Sequence, residues 1–366
     1  MNEPLPPAER RPQRIAIIPG DGIGKDVTVE AVKVLEAAAE RWDLPLELTS
    51  FPWDADRYLT SGETLPEGAL DDFRERFSAI FIGAFGDPRV PDMKHAADIL
   101  LGIRFGLDLY VNFRPIKLYD EALCPLKDKR PADVDFVVFR ENTEGAYVNA
   151  GGVLKRGTAD EVAIQEEINT RKGVERILRA AFDYAVAHRR REVCMVDKSN
   201  VMRHGHDLWQ RAFAEVAVDY PGIETRHLFV DACAMQMIRK PETFDVIVAN
   251  NMFGDILSDL GAALQGGLGL AASANLHPGR TSMFEPVHGS APKYAGTGRA
   301  NPLGAVLTVA LMLDELGHAE AAAGVEQAVH DLLADGRTTP DLGGSLATSQ
   351  VGDEVARSLA AVPVRA

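Results

Sequence analysis

Nowhere does the chain contain an apolar run approaching the roughly 18 residues that span a bilayer, so a helical membrane protein is excluded. Cysteine is scarce: Cys124, Cys194 and Cys233 stand far apart, with no C-x-x-C spacing. That pattern argues against a disulfide framework or a zinc site and points to a reducing cytoplasm. Basic residues are outnumbered 39 to 54, for a formal net charge of −15. General nucleic-acid binding is therefore not expected, because phosphate backbones demand basic faces. A small anionic substrate needs only a few local arginines. The opening MNEPLPPAERRPQR lacks an apolar h-region and reads as a disordered arm, not a signal peptide. Internal repeats and low-complexity linkers are lacking too.

What the chain does have is alternation. Its 366 residues, 46% hydrophobic and 25% charged, suffice for two domains of an ordinary globular protein. Residues 15–18, 79–82, 136–139, 192–196 and 246–249 read as buried strands. Helical patterns alternate with them at 27–41, 173–188, 206–218 and 302–316, which predicts an α/β fold with a largely central sheet. Residues 149–170 are polar, then alternate at Val162 and Ile164. They read either as an arm pairing outside that sheet or as a plain surface hairpin.

Two glycine-rich stretches stand out, and neither is a standard nucleotide fingerprint. In PGDGIGKD (residues 19–26) the spacing is G-x-G-x-G, where a Rossmann turn needs G-x-G-x-x-G. Asp26 follows Lys25 where a P-loop needs Ser or Thr. The stretch reads as a strand-to-helix turn, either bland or supporting a ligand, in which glycine permits positive φ. FEPVHGSAPKYAGTGRANP (residues 284–302) has little periodicity and reads as a long ordered loop. Such loops in compact domains usually serve function.

Charged residues suggest the chemistry. In NNMFGDILSDLG (residues 250–261), Asp255 and Asp259 fall on one helical face. A hard cation such as Mg²⁺ or Mn²⁺ offsets their repulsion; otherwise one caps the helix and the other is solvated. Asp231, after the apolar LFV, suits a strand end and a third metal ligand. Arg104, Arg114 and Arg140 carry the planar fork that grips carboxylates. Arg140 directly follows a predicted strand, and strand ends are where α/β sheets bind ligands. Tyr147 in RENTEGAY and Lys198 in VDKSNVM are suited to proton transfer. Taken singly, each of these also reads as a surface ion pair or a core tyrosine.

RENTEGAY, VDKSNVM, FGDILSD and FEPVHGSAP follow in order between IAIIPGDGIG and PDLGGS. Together they resemble the metal-dependent β-decarboxylating dehydrogenases, which include isocitrate, 3-isopropylmalate, homoisocitrate, and tartrate or D-malate dehydrogenases. The resemblance covers nearly the whole chain and is greatest to the 3-isopropylmalate members. It implies a non-Rossmann α/β fold of two domains flanking a cleft. Residues 1–109 and 266–366 would form a large discontinuous cofactor-binding domain. Residues 110–265 would form a small domain whose arm, near 149–170, interlocks a homodimer. Lys198, Asn200 and Asp231 would then serve the partner's site, leaving a monomer inactive.

The same resemblance assigns the site. Tyr147, Lys198 and Asp231 look catalytic, with Tyr147 as general acid and Lys198 assisting proton removal. Arg104, Arg114 and Arg140 look like the clamp on the malate carboxylates. Asp231, Asp255 and Asp259 look like the Mg²⁺ or Mn²⁺ ligands. His288, Gly289, Ser290 and Ala291 look like the adenosine seat, joined by Asn200, Glu285, Lys293, Tyr294 and Asn301.

Leu100 and Leu101, in HAADILLGIR, match the leucines that contact the isopropyl group, although tartrate and D-malate members carry leucines there too. Asp98 stands where isocitrate members hold their extra carboxylate and is expected to repel it. The expected reaction is therefore conversion of 3-isopropylmalate, or a related 3-alkylmalate, to a 2-keto acid (4-methyl-2-oxopentanoate from isopropylmalate) and CO₂. Tartrate or D-malate comes next and isocitrate last. A catalytically silent regulatory subunit typically loses metal aspartates, the tyrosine or clamp arginines, and all are present here. NAD-using members carry aspartate where this chain has Lys293; Lys293–Tyr294 is the pair of NADP-using isocitrate enzymes, while TPDLGGS is of the NAD type. NADP is expected to be preferred, with NAD usable.

Overall fold

The structure, a computed structural model, describes residues 12–361, so the expected N-terminal arm lies almost wholly outside the described residues. Contacts divide the chain into two compact units: the described residues of Met1–Leu107 with Leu268–Ala366, and Asp108–Gly267. The first unit begins with β1 (Gln13–Gly20), α1 (Ile23–Trp42), β2 (Leu46–Ser50), α2 (Ala55–Ser61), α3 (Ala69–Arg76), β3 (Ala79–Ala84) and α4 (Lys94–Gly106). The second opens with β4 (Val111–Lys117), β5 (Asp135–Glu141), β6 (Gly151–Leu154), β7 (Val162–Gln165) and α5 (Arg171–Ala187). It continues through β8 (Glu192–Asp197), α6 (Gly205–Ala217), β9 (Glu224–Phe229), α7 (Val230–Arg239), β10 (Val246–Ala249) and α8 (Asn251–Leu264). The chain then returns to the first unit as β11 (Ala272–Leu276), β12 (Ser282–Pro286), α9 (Leu303–Glu315), α10 (Ala319–Ala334) and α11 (Thr348–Ala361).

In the first unit the strand order is β2-β1-β3-β12-β11, parallel except for β11. Its central strand β3 is buried along its whole length, as a parallel strand covered on both faces must be. The helix α9 is apolar nearly all round and packs on β11, β12, α1 and α10. In the second unit the order is β4-β5-β10-β8-β9, again parallel but for one strand, β4. Here β5 alternates. Phe136 and Val138 join Ile247 and Leu257 in one core cluster, while Phe139 meets Phe113 and Tyr184 on the other face. The mainly parallel α/β class expected from the alternation is thus present.

Two local differences have physical causes. The first helix begins at Ile23 and not near residue 27, because Gly22 at φ 53° turns the chain directly into it. Residues 284–286, expected in the ordered loop, belong to β12, where buried Phe284 pairs with Phe81 of β3. Residues 149–170 contain an antiparallel ribbon, β6 with β7, that hydrogen-bonds outside the larger sheets. Val153, Leu154, Val162 and Ile164 are exposed on it. Among the described residues no helix is long and apolar enough to cross a membrane. All three cysteines are free. Burial pushes the Cys194 thiol up to about 12 and raises Cys233 too, so both are inert as nucleophiles.

Candidate active site

The chemistry of the second unit gathers where β5 and β10 end. Ala249 of β10 is in register with Arg140 of β5. The next residue, Asn250, caps α8 by accepting from the Phe253 amide at 2.9 Å. With Asn250 as the cap, neither Asp255 nor Asp259 has that role, and the capping reading of the aspartates falls. The helix sits close over β5: a Cβ on Gly254 would lie 2.6 Å from Arg140 Cβ. Glycine there lets the helix bring Asp255 onto the arginine.

Asp255 forms a short ion pair with Arg140 Nη1 and a second, at 3.2 Å, with Arg114 Nη2. It also accepts from the Tyr147 hydroxyl at 2.6 Å. Asp259, one turn on, lies 3.1 Å from Arg114 Nη1. Neutral neighbours aim the arginines. Arg114 donates to Asn112 and Ser258, both at 2.8 Å, and Arg140 donates to Asn251 at 2.9 Å. Asn112 stands two residues before Arg114 on β4, on the same face of that strand, whereas Ser258 and Asn251 reach their arginines from α8, which sequence spacing does not show. Arg140 is only 3% exposed, and a buried guanidinium requires such a partner. Burial, and then the bond to Asp255, raises the Tyr147 phenol above its ordinary value, so it keeps its proton at neutral pH. The Arg140 guanidinium lies 5.0 Å from the centroid of its ring.

Lys198, just past β8, and Asp231, in the first turn of α7, form a second short ion pair. The hydrogen bond from Lys198 holds the Asp231 carboxyl below its usual range. The Lys198 amide donates to His206 Nδ1 at 2.7 Å, so His206 carries its proton on Nε2, 3.1 Å from Glu167. Glu167 also accepts from Asn250, the cap of α8, at 2.9 Å and from Asn169 at 3.1 Å. This network joins the ribbon's root, the loop bearing Lys198 and the exposed Asn200, and the helix bearing the aspartates. Two oxygen-only carboxylates one turn apart fit a hard divalent cation. Among the described residues no group of three His, Cys, Asp or Glu side chains is set to hold a metal, so Asp231 is not grouped with Asp255 and Asp259.

In the first unit α4 presents Leu100 and Leu101 half-buried beside buried Ile99 and Ile103. Arg104 on the same helix lies 3.2 Å from Glu285 of β12, which also accepts from Asn275 at 2.8 Å. Asp98 pairs with Lys94 at 2.6 Å and accepts from Thr64 at 3.1 Å.

Beyond β12 the loop lies against the glycine turn. Ile23 donates its amide to the Ser290 carbonyl at 2.8 Å, and a Cβ on Gly22 would lie 2.2 Å from that oxygen. Asp26 accepts from the Gly296 amide at 2.8 Å. Asp21, 2% exposed, accepts from the amides of Ala55 and Gly86 and meets His95 Nε2 at 2.7 Å at the start of α4. The turn therefore supports a loop rather than being bland.

A cavity of about 330 Å³ opens here, lined by residues that include Ile23, His288, Tyr294, Arg299, Asn301 and Asp341. That volume lies at the lower end of the roughly 300–1,000 Å³ typical of small-molecule sites. Among the described residues buried His288 Nε2 has no partner, and burial lowers the imidazole's pKa, which keeps it neutral. An orphaned polar atom beside apolar Ile23 and the amide of Asn301 fits the adenosine part of a nicotinamide cofactor. Gly289 has open space where a Cβ would stand, and Ala291 takes a left-handed φ of 35° that turns the chain into Pro292–Tyr294. Arg299, from the 284–302 loop, and Asp341, from TPDLGGS, also line this cavity, although neither was expected as a site residue.

The family described as isocitrate/isopropylmalate dehydrogenase matches residues 14–355 of the chain. The 3-isopropylmalate dehydrogenase of Thermobifida fusca is 46% identical over 352 residues, covering 96% of this chain and 98% of its own length. A probable tartrate dehydrogenase/decarboxylase of Bacillus subtilis is likewise 46% identical, over 94% of this chain and 97% of its own. The crystal structure of isocitrate dehydrogenase from Methylococcus capsulatus matches with a TM-score of 0.86 at 36% identity, covering 95% of this chain and 99% of its own.

Proposed function

Because the chain belongs to the isocitrate/isopropylmalate dehydrogenase family, we propose that it oxidatively decarboxylates a 3-substituted malate, with 3-isopropylmalate preferred as substrate and NADP as acceptor. Membership makes it a metal- and nicotinamide-dependent decarboxylating dehydrogenase; the substituent and the cofactor's phosphate are the finer reading. The observation that carries the substrate is α4, where half-buried Leu100 and Leu101 adjoin Arg104. An apolar patch beside a carboxylate-binding group suits an isopropyl substituent and offers no hydrogen bond to a second hydroxyl. Nicotinamide absorbance with Mn²⁺ and a panel of 3-isopropylmalate, D-malate, tartrate and isocitrate tests this. 3-Isopropylmalate should lead D-malate in kcat/KM by about tenfold or more, as added methylenes in an apolar pocket do. Tartrate ahead would replace this reading with that of the equally similar tartrate relative.

The proposed roles follow from the contacts. Arg104, Arg114 and Arg140 exchange their carboxylate partners Glu285, Asp259 and Asp255 for those of the substrate. A divalent cation on Asp255 and Asp259, with Asp231, would supply Lewis-acid stabilisation of negative charge on the substrate's oxygens. Lys198 assists removal of the hydroxyl proton as C2 is oxidised and the C3 carboxylate leaves as CO₂. Tyr147, whose raised pKa keeps its proton available, protonates C3. Lys198, Asn200 and Asp231 are assigned to the site of a second copy in a homodimer. Their separation from the Asp255 pair and the apolar residues exposed on the ribbon support this assignment. Lys198→Met and Asp255→Asn chains, each inactive alone, should regain activity when their subunits exchange; no recovery removes the shared site.

His288, Ser290, Ala291 and Asn301 are assigned to the adenosine, with Glu285 near the substrate end. Lys293 and Tyr294 support NADP, since a cation and a phenol suit a phosphate dianion. Lys293→Asp should shift kcat/KM toward NAD; an unchanged preference would show that Lys293 does not read the phosphate.

A further inference from the structure

We infer that Arg299 is a principal reader of the cofactor's 2′-phosphate, a step that rests on the NADP reading above. Two cations attend the ring of Tyr294: Lys293 Nζ lies 4.7 Å from its centroid and Arg299 Cζ 5.8 Å. Of the two, Arg299 lines the cavity, together with Tyr294, His288 and Asn301, and Lys293 does not. A guanidinium resting against an aromatic ring keeps its N–H fork available, and that fork matches two oxygens of a phosphate. Lys293 on its flexible stem is a point charge without such geometry.

Charge supports the same assignment. Among the described residues neither Arg299 nor Lys293 has a carboxylate partner, whereas Arg104, Arg114, Arg140 and Lys198 all do. In a chain of net charge −15, a dianion needs local unpaired cations. Asp341 is the one carboxylate on the cavity lining. It accepts from the Thr339 hydroxyl at 2.5 Å and from Asn301 at 3.1 Å, one bond to each oxygen. The TPDLGGS segment thus contributes hydrogen-bonding structure here, and the phosphate-binding cation comes from within the loop at residues 284–302.

The test is calorimetric binding of 2′,5′-ADP, ADP and inorganic phosphate to the full chain and to Arg299→Gln, Arg299→Lys and Lys293→Gln. The unaltered chain should favour 2′,5′-ADP over ADP, with inorganic phosphate weak. Arg299→Gln should weaken 2′,5′-ADP by about tenfold or more, the size of a lost charge-assisted bond, and leave ADP within about twofold. Arg299→Lys should fall between them, and Lys293→Gln should lose less than Arg299→Gln. Equal weakening of both nucleotides by Arg299→Gln would make the residue a wall of the cavity and overturn the inference. So would a preference that survives in Arg299→Gln but vanishes in Lys293→Gln, while leaving the NADP reading intact. An unaltered chain with no preference for 2′,5′-ADP would overturn both.

Discussion

The two functional regions solve opposite electrostatic problems. Around Asp255 every charge already has a partner: Arg140, Arg114 and Tyr147 converge on one carboxylate, and Arg114 reaches Asp259 as well. Around Tyr294, among the described residues, the polar groups wait, with Arg299 and Lys293 lacking carboxylates and His288 Nε2 orphaned. The first arrangement gives a buried arginine the countercharge that burial demands. The second, on the proposed reading, receives a ligand that brings its own anion and acceptors. Mutations should therefore damage the first region through stability and chemistry together, and the second mainly through binding.

The largest break should come from Asp255→Asn. It leaves Arg140 buried without its countercharge, and such losses cost about 3–5 kcal/mol. Urea denaturation should show that loss, and Mn²⁺ titration of the folded variant should show loss of metal binding. A variant of unchanged stability would mean that the pair is not held as described. Tyr147→Phe should come next, lowering kcat by about a hundredfold or more with little change in KM, as loss of a general acid does. Equal losses in kcat and affinity would make Tyr147 a binding group instead.

In the cofactor region, Gly22→Ala combines a positive φ with a clash against the Ser290 carbonyl. It should cost about 1–3 kcal/mol and raise the KM for cofactor more than that for substrate. The smallest effect separates the regions by pH. Burial pushes Glu167 up, but bonds from His206, Asn250 and Asn169 outweigh it and leave the carboxyl below its ordinary value. A depressed carboxyl contributes stability that is complete above its ordinary, unfolded value of 4.5 and lost as pH falls through the folded one. Glu167→Gln should flatten that acid limb in thermal melts, and an unchanged limb would exclude the linkage.

Much of this was legible in sequence because it is local. Strands at 15–18, 79–82, 136–139, 192–196 and 246–249 announce themselves by apolar runs, broken only by Glu192, and all lie within strands of the structure. The aspartate pair in FGDILSD follows from helical spacing alone. The aiming residues Ser258 and Asn251 do not, since their partners come from other elements. The partner of Asp98 is again local: Lys94 stands one turn earlier on the same helix. The strand at Glu224–Phe229 was missed because it is half exposed and mixes Thr, Arg and His with its apolar residues. Glu167 and His206 are invisible for the same reason as the aiming groups. Only the register of the folded chain joins the ribbon's root to Lys198 and the α8 cap.

The division of the chain also sets an order of assembly. The second unit is one continuous segment, so it is complete in the growing polypeptide before β12 has been synthesised. The first unit must wait, because β12 lies between β3 and β11 in its sheet. Thr281, at the entry to β12, bonds back to the Phe73 carbonyl across 208 positions of sequence. Closing so long a loop is slow, and until it closes the edge of β3 is an open template for other chains. A nascent chain thus holds a finished insert inside an unfinished host, and chaperone demand should concentrate on the interval before β12 arrives.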